Sequence, residues 1–153
     1  FCTHVASLLV SGGPRVTPIQ CADNAGSVFH GSVPMLGTGW DGGTVQFTLH
    51  LTHPTTEAIT FAGDWSGMCR SNSDLINSTW GTAVQGDAAI TTAHDLVQQT
   101  SAAVSLDGTC VAGDHIFFRF VVDAATFSTN AASTRILGVT LHYLTDTRNG
   151  NDE

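Results

Sequence analysis

Apolar and polar residues alternate along much of this chain, and the period is two. In Val45, Phe47, Leu49 and Leu51 the apolar side chains are separated by Gln46, Thr48 and His50. A strict alternation of this kind puts one face of a β-strand in a core and the other in water. The pattern recurs in Ile59, Phe61, Gly63 and Trp65, and in Ile116, Phe118, Phe120 and Val122. It recurs again from Ile136 to Leu144, where Leu137, Val139, Leu141 and Tyr143 are assigned to the inner face. The run His115–Val122 is apolar on both phases, so that strand is expected to be covered on both faces. Turn chemistry lies between these runs: Asp41-Gly42-Gly43, Pro54, Ser71-Asn72-Ser73-Asp74, Asp107-Gly108 and Gly113-Asp114.

Three segments are less regular. Thr79–Val84 reads as a strand closed by the turn Gln85-Gly86-Asp87. Within Ala88–Ala103, the β-branched Ile90, Thr91 and Thr92 favour strands, with a loop at His94-Asp95. The first forty residues hold extended candidates at Val5–Val10, Val16–Cys21 and Ser27–Val33, broken by Gly12-Gly13-Pro14, Asp23–Gly26 and Gly37–Gly39. They read either as an arm that wraps a neighbour or as edge strands. The expectation is one all-β domain, an antiparallel β-sandwich of jelly-roll-like type with about eight strands. It divides into an N-terminal extended segment (1–40), a sandwich core (41–145) and a polar tail (146–153).

Composition narrows the functions open to such a domain. Only 12% of residues are charged, there is no lysine, and the formal net charge is −8. The cations are Arg15, Arg70, Arg119, Arg135 and Arg148. Five scattered arginines make no basic patch, so nucleic acid and anionic membrane surfaces are not expected partners. No apolar run approaches the ~18 residues of a membrane helix. The four cysteines, Cys2, Cys21, Cys69 and Cys110, show no C-x-x-C spacing. Buried thiols and at least one disulfide both remain open, and extracellular exposure favours the latter.

Each motif that resembles a reactive site fails a specific test. His50 and His53 are three apart, so on one strand they point to opposite faces. Ser66, in Gly63-Asp64-Trp65-Ser66-Gly67, is one place late for a nucleophile elbow, and the context is all-β. His94-Asp95 are only sequence neighbours. Asp64, Asp74, Asp87, Asp107 and Asp114 are explained by turns and lack the spacing of a calcium loop. No catalytic residue, cofactor or metal is therefore expected. Arg119, on an apolar strand, needs a partner from Asp123 or an adjacent strand and is read as structural. Trp65 has the inward phase. Trp40, Trp80 and the turn residue His53 are the candidates for contact with a partner or a glycan. Asn77-Ser78-Thr79 is a glycosylation sequon, meaningful in a glycosylating host.

The stretch Gly113-Asp114-His115-Ile116-Phe117-Phe118-Arg119-Phe120-Val121-Val122-Asp123-Ala124, followed by Arg135-Ile136-Leu137-Gly138-Val139-Thr140-Leu141-His142-Tyr143, resembles β-sandwich domains of tailed-phage virion proteins of the capsid decoration, outer-shell or fibre type. Trp40-Asp41-Gly42-Gly43-Thr44-Val45 fits the same pattern, and Val122-Asp123 departs from it where a second Arg-Asp pair is usual. The resemblance implies a non-enzymatic capsid decoration or outer-shell subunit. Its implied partners are the major capsid protein and further copies of itself as a homotrimer, and its place is the virion exterior. The alternative is a carbohydrate-binding β-sandwich module of a secreted or fibre protein.

Overall fold

The computed structural model describes residues 2–4, 19–21, 27–34, 40–54, 59–123 and 134–145. These form two sheets and no helix. The strands are β1 (Cys2–His4), β2 (Ile19–Cys21), β3 (Val28–Pro34), β4 (Trp40–Thr52), β5 (Ile59–Arg70), β6 (Val84–Ile90), β7 (Val97–Thr100), β8 (Leu106–Asp107), β9 (His115–Val122) and β10 (Arg135–Thr145). One sheet has the order β1-β2-β10-β4-β7 and the other β3-β9-β5-β6, with the short β8 added parallel to β5. The all-β sandwich is as the alternation predicts. The described residues hold ten strands rather than about eight because β1, β2 and β8 are two or three residues long, too short to carry a period.

The core lies between β4 of one sheet and β5 and β9 of the other. Phe47 stacks on Trp65 across the two sheets at 5.1 Å between ring centroids. Phe118 and Phe120 close the cluster, at 5.4 Å from Phe47 and 5.1 Å from Trp65 respectively. Glycines make room for these rings: a methyl group at Gly31 overlaps the Phe118 ring, and one at Gly63 overlaps the Phe120 ring. Phe118 thus sits over the directly opposed Gly31 of β3, while the Phe120 ring leans over Gly63 of β5, which pairs with Val122 two residues along β9.

The first forty residues supply edge strands rather than a free arm where they are described. β2 pairs with β10, β1 pairs with β2 and carries the Cys2–Cys21 disulfide, and β3 pairs with β9 along seven residues. The second disulfide joins Cys69 to Cys110, so the described fold holds no free thiol. The candidate strand Val5–Val10, the loop Ser128–Ser133 and the tail 146–153 lie outside the described residues.

Two sequence expectations are corrected. Thr79–Val84 is not a strand: β6 starts at Val84 and runs through the Gln85-Gly86-Asp87 triplet that reads as a turn. Those three pair with Asp64, Gly63 and Ala62 of β5. Gly86 marks a close approach and not a bend, since a Cβ there sits 3.3 Å from the Trp65 indole nitrogen. Leu137 is not on the inner face and is 39% exposed. Ile136 and Gly138 oppose the consecutive residues Leu51 and His50, so Leu137 is the extra residue of a β-bulge. The bulge resets the phase, leaving Ile136 inward before it and Val139, Leu141 and Tyr143 against the core after it.

Candidate functional site

The site is built where the chain crosses between the sheets at one end of the sandwich. After β7 the chain stays on the edge of β4. Ser101 donates its amide to the Phe47 carbonyl at 2.9 Å, and its hydroxyl accepts the Phe47 amide at 3.0 Å. Val45 and Val104 exchange backbone bonds of 3.0 and 2.8 Å. Two residues later β8 joins β5 of the other sheet. Opposite this crossing, the start of β4 is irregular. Trp40 pairs with Thr145 and Val45 with Tyr143, so Asp41–Thr44 bulge outward. The Asp41 carboxylate accepts the Gly43 amide at 2.8 Å, and Gly42 takes a left-handed φ of 80°. Such a turn requires glycine.

Between bulge and crossing lies a cleft of about 480 Å³. Trp40, Gly42, Gly43 and Thr44 form one side; Ser105, Leu106, Gly108, Thr109 and Cys110 form the other. Among the described residues no charged side chain lines it. Its groups are an indole, the hydroxyls of Thr44, Ser105 and Thr109, backbone laid open at glycine, and the apolar Leu106 and disulfide-bonded Cys110. Trp40 packs on the core with its ring, and its Nε1 is buried without a hydrogen-bond acceptor. A buried donor left so costs about 1–3 kcal/mol.

The far wall is rigidly pinned. Arg70, at the end of β5, is 9% exposed and pairs with Asp107 at 2.9 Å. Its guanidinium also donates to the carbonyls of Cys69, Asp107 and Leu75 at 2.6, 3.1 and 3.1 Å. One buried cation therefore holds β8 and the 71–79 loop together, and the Cys69–Cys110 disulfide closes the same segment from its other end. Gly108 sits against this cluster with φ 103°, and a Cβ there meets Arg70 Nη1 at 2.7 Å and the Cys69 carbonyl at 2.9 Å. A second cleft, of about 490 Å³, lies beyond Gly108 and Thr109 and is bordered by Arg70, Ser71, Asp74, Leu75 and Ser78. The Asp74 carboxyl accepts the Ser71 amide at 2.8 Å and its hydroxyl at 2.9 Å. These two bonds, aided by the Arg70 charge, hold its pKa below the ordinary value.

Trp80 occupies a different face. His30 of β3 and Arg119 of β9 are directly opposed on the outer side of their sheet. The Trp80 indole lies flat over both, parallel to the imidazole within 7° at 5.5 Å and with the guanidinium 5.1 Å from its ring centre. Arg119 also donates Nε–H to the Ser66 hydroxyl at 3.2 Å, so an adjacent strand does supply it with a partner. Partial burial first, then the Arg119 charge, keep the His30 pKa below its ordinary value. Beside this stack is a mainly apolar cleft of about 370 Å³ that includes Ile76, Met68 and Phe117.

The remaining sequence candidates separate clearly. His53 is 1% exposed, so its ring presents no surface to a partner or glycan, a correction of the expected contact role. Its carbonyl accepts the His94 amide at 2.8 Å, which folds the 91–96 loop back over it. His50 stands within hydrogen-bonding distance of Thr140 on the outer face, at 2.8 Å. Ser66 is 1% exposed and engaged by Arg119, with no access for a substrate. Among the described residues no three His, Cys, Asp or Glu stand together in a metal-binding group. The 105–110 segment is the part that sequence reasoning missed: Asp107-Gly108 reads only as a turn, and the signal available was its cysteine neighbour, Cys110.

No family model matches the sequence, and no curated protein matches it. Among solved structures the chain is similar to the CBM22-2 xylan-binding domain of Paenibacillus barcinonensis Xyn10C, at 12% identity and a TM-score of 0.47. The likeness covers 94% of this chain and 86% of that one, and it is a likeness between all-β sandwiches.

Proposed function

We propose that this chain is a non-catalytic binding module that takes a neutral carbohydrate in the Trp40 cleft and works outside the cell. The observation that carries the reading is the lining of that cleft: one indole, three hydroxyls and open glycine backbone, with no charged side chain among the described residues. A pyranose ring offers polarised C–H groups to the negative face of an aromatic ring and hydroxyls to the surrounding donors and acceptors. A charged ligand finds no counter-charge in the cleft, and burying it there is costly. The net charge of −8 disfavours polyanionic glycans further. Two disulfides support an oxidising, extracellular setting.

Calorimetric titration tests this with soluble oligosaccharides of β-1,4-linked glucose, xylose, mannose and N-acetylglucosamine, with oligogalacturonate as the acidic control. Xylan is the ligand in the CBM22-2 domain's name and belongs in the panel. At least one neutral ligand should bind, and Trp40→Ala should weaken it at least tenfold while Trp80→Ala leaves it near wild type. Unchanged binding in Trp40→Ala, or preference for the acidic control, contradicts the reading.

A second reading, a virion shell or decoration subunit that assembles with itself and a capsid protein, rests on the sequence resemblance. Apolar side chains open to solvent favour it: Leu75 is 74%, Leu144 73% and Ile76 63% exposed. Size-exclusion chromatography with light scattering separates the two. A stable trimer supports the shell reading, and a monomer at high concentration counts against it.

A further inference from the structure

We propose that the Trp40 cleft and the cleft bordered by Ser78 and Asp74 are consecutive subsites for one neutral oligosaccharide, which crosses the chain at Gly108-Thr109. This rests on the carbohydrate reading of the Trp40 cleft and extends it from a single ring to a linear chain.

The two clefts have Gly108 and Thr109 in common as lining residues, so they are the two flanks of a single ridge. At about 480 and 490 Å³, each falls within the ~300–1,000 Å³ of small-molecule sites. The crest between them is bare backbone. Gly108 is exposed and has a left-handed φ of 103°, and its Cβ position faces inward, onto Arg70 and the Cys69 carbonyl. Thr109 is exposed beside it and offers a hydroxyl to both flanks. The ridge is also fixed in place. The disulfide to Cys69, the Arg70–Asp107 pair and the Arg70 bond to the Asp107 carbonyl remove the cost of ordering it on binding.

The second subsite differs in chemistry. It holds the exposed hydroxyls of Ser71 and Ser78 and the Asp74 carboxylate. The Arg70 charge is already engaged by Asp107 and by carbonyls, so it offers no free cation to an acidic sugar. Bonds from Ser71 favour the ionised form of Asp74, so this flank stays negative at neutral pH. A uronic acid is repelled there, while a neutral sugar donates hydroxyl protons to the carboxylate. The groove therefore selects for length and against acidity at the same time.

The test is titration of wild type and Ser78→Ala with a di-, tri-, tetra- and hexasaccharide of whichever neutral series binds. Ser78 is exposed, so its truncation leaves the fold intact. Affinity of the wild type should rise at least tenfold between disaccharide and hexasaccharide. Ser78→Ala should lower hexasaccharide affinity about fivefold, the worth of one hydrogen bond, and leave the disaccharide unchanged. Trp40→Phe should weaken both lengths. Length-independent affinity that still depends on Trp40 removes the second subsite and leaves the first. A Ser78→Ala loss equal at both lengths also overturns the two-subsite arrangement. Absence of binding by every glycan removes this proposal and the carbohydrate reading together.

Discussion

Two of the three tryptophans, Trp65 and Trp40, sit in regions held by opposite means. Trp65 lies in the middle of the sandwich, fully buried against Phe47, Phe118 and Phe120. Trp40 lies at the end, against a wall made of loop. The first region is stabilised by removing aromatic area from water, which needs only the right residues in the right phase. The second is stabilised by one buried arginine, a disulfide and a left-handed glycine. Apolar packing gives a rigid interior that no ligand can enter. Polar and covalent pinning gives a surface that is equally fixed yet open, the condition a binding site needs.

The largest effect expected from breaking that contrast is in the core. Trp65→Ala should cost about 3–5 kcal/mol in urea unfolding, as deleting a buried aromatic leaves a cavity the sheets cannot close. A loss under 1 kcal/mol would show that the aromatic cluster is not what holds the sheets together. Next is the disulfide at the wall. Replacing Cys69 and Cys110 together by serine should cost about 4 kcal/mol, because the bridge closes a chain separation of 41 residues. Hydrogen exchange should localise the loosening to 105–110 while β9 stays protected. Uniform loss of protection would make the two regions one cooperative unit.

Smaller is Gly108→Ala, with a cost above about 1 kcal/mol. The added methyl meets Arg70 and the Cys69 carbonyl at a backbone angle that disfavours it, so binding should fall with it. Gly113 makes a useful control: it has a left-handed φ of 93° as well, but nothing within reach of a Cβ. An equal loss at both sites would mean that backbone strain alone accounts for the effect at Gly108.

The smallest effect is on pH. Partial burial and then Arg119 hold His30 below its ordinary pKa of 6.5, so the unfolded chain takes up that proton first as pH falls. The stability tied to the neutral imidazole is present above pH 6.5 and is lost as pH drops from there toward the folded value. The urea midpoint should fall slightly between pH 7.5 and 5.5, and His30→Gln should reduce the drop. A steeper drop in His30→Gln would reverse the sign assigned here.

The same contrast explains what could be read in the sequence. β4, β5 and β9 were legible because each places a row of alternate side chains in the core, which forces a period of two through Phe47, Trp65 and Phe118. Leu137 misled because a bulge shifts the phase by one residue without altering composition. Gly86 misled because glycine marks a close approach in one place and a turn in another. The wall of the Trp40 cleft was not legible at all. Its parts, Arg70, Asp107 and Cys110, are brought together by a crossover between sheets, and no local pattern encodes a contact across 37 positions. Trp40 itself stood out as a residue beside a glycine turn, yet the groups that face it come from elsewhere in the chain.

The most direct measurement is a ¹⁵N-correlated NMR titration with the neutral oligosaccharide that binds best. The account predicts that the Trp40 indole N–H shifts together with the amides of Gly42, Gly43, Gly108 and Thr109, while the Trp65 indole N–H stays in place. Shifts confined to Trp80 and His30, or none at any of these positions with saturating ligand, would contradict it.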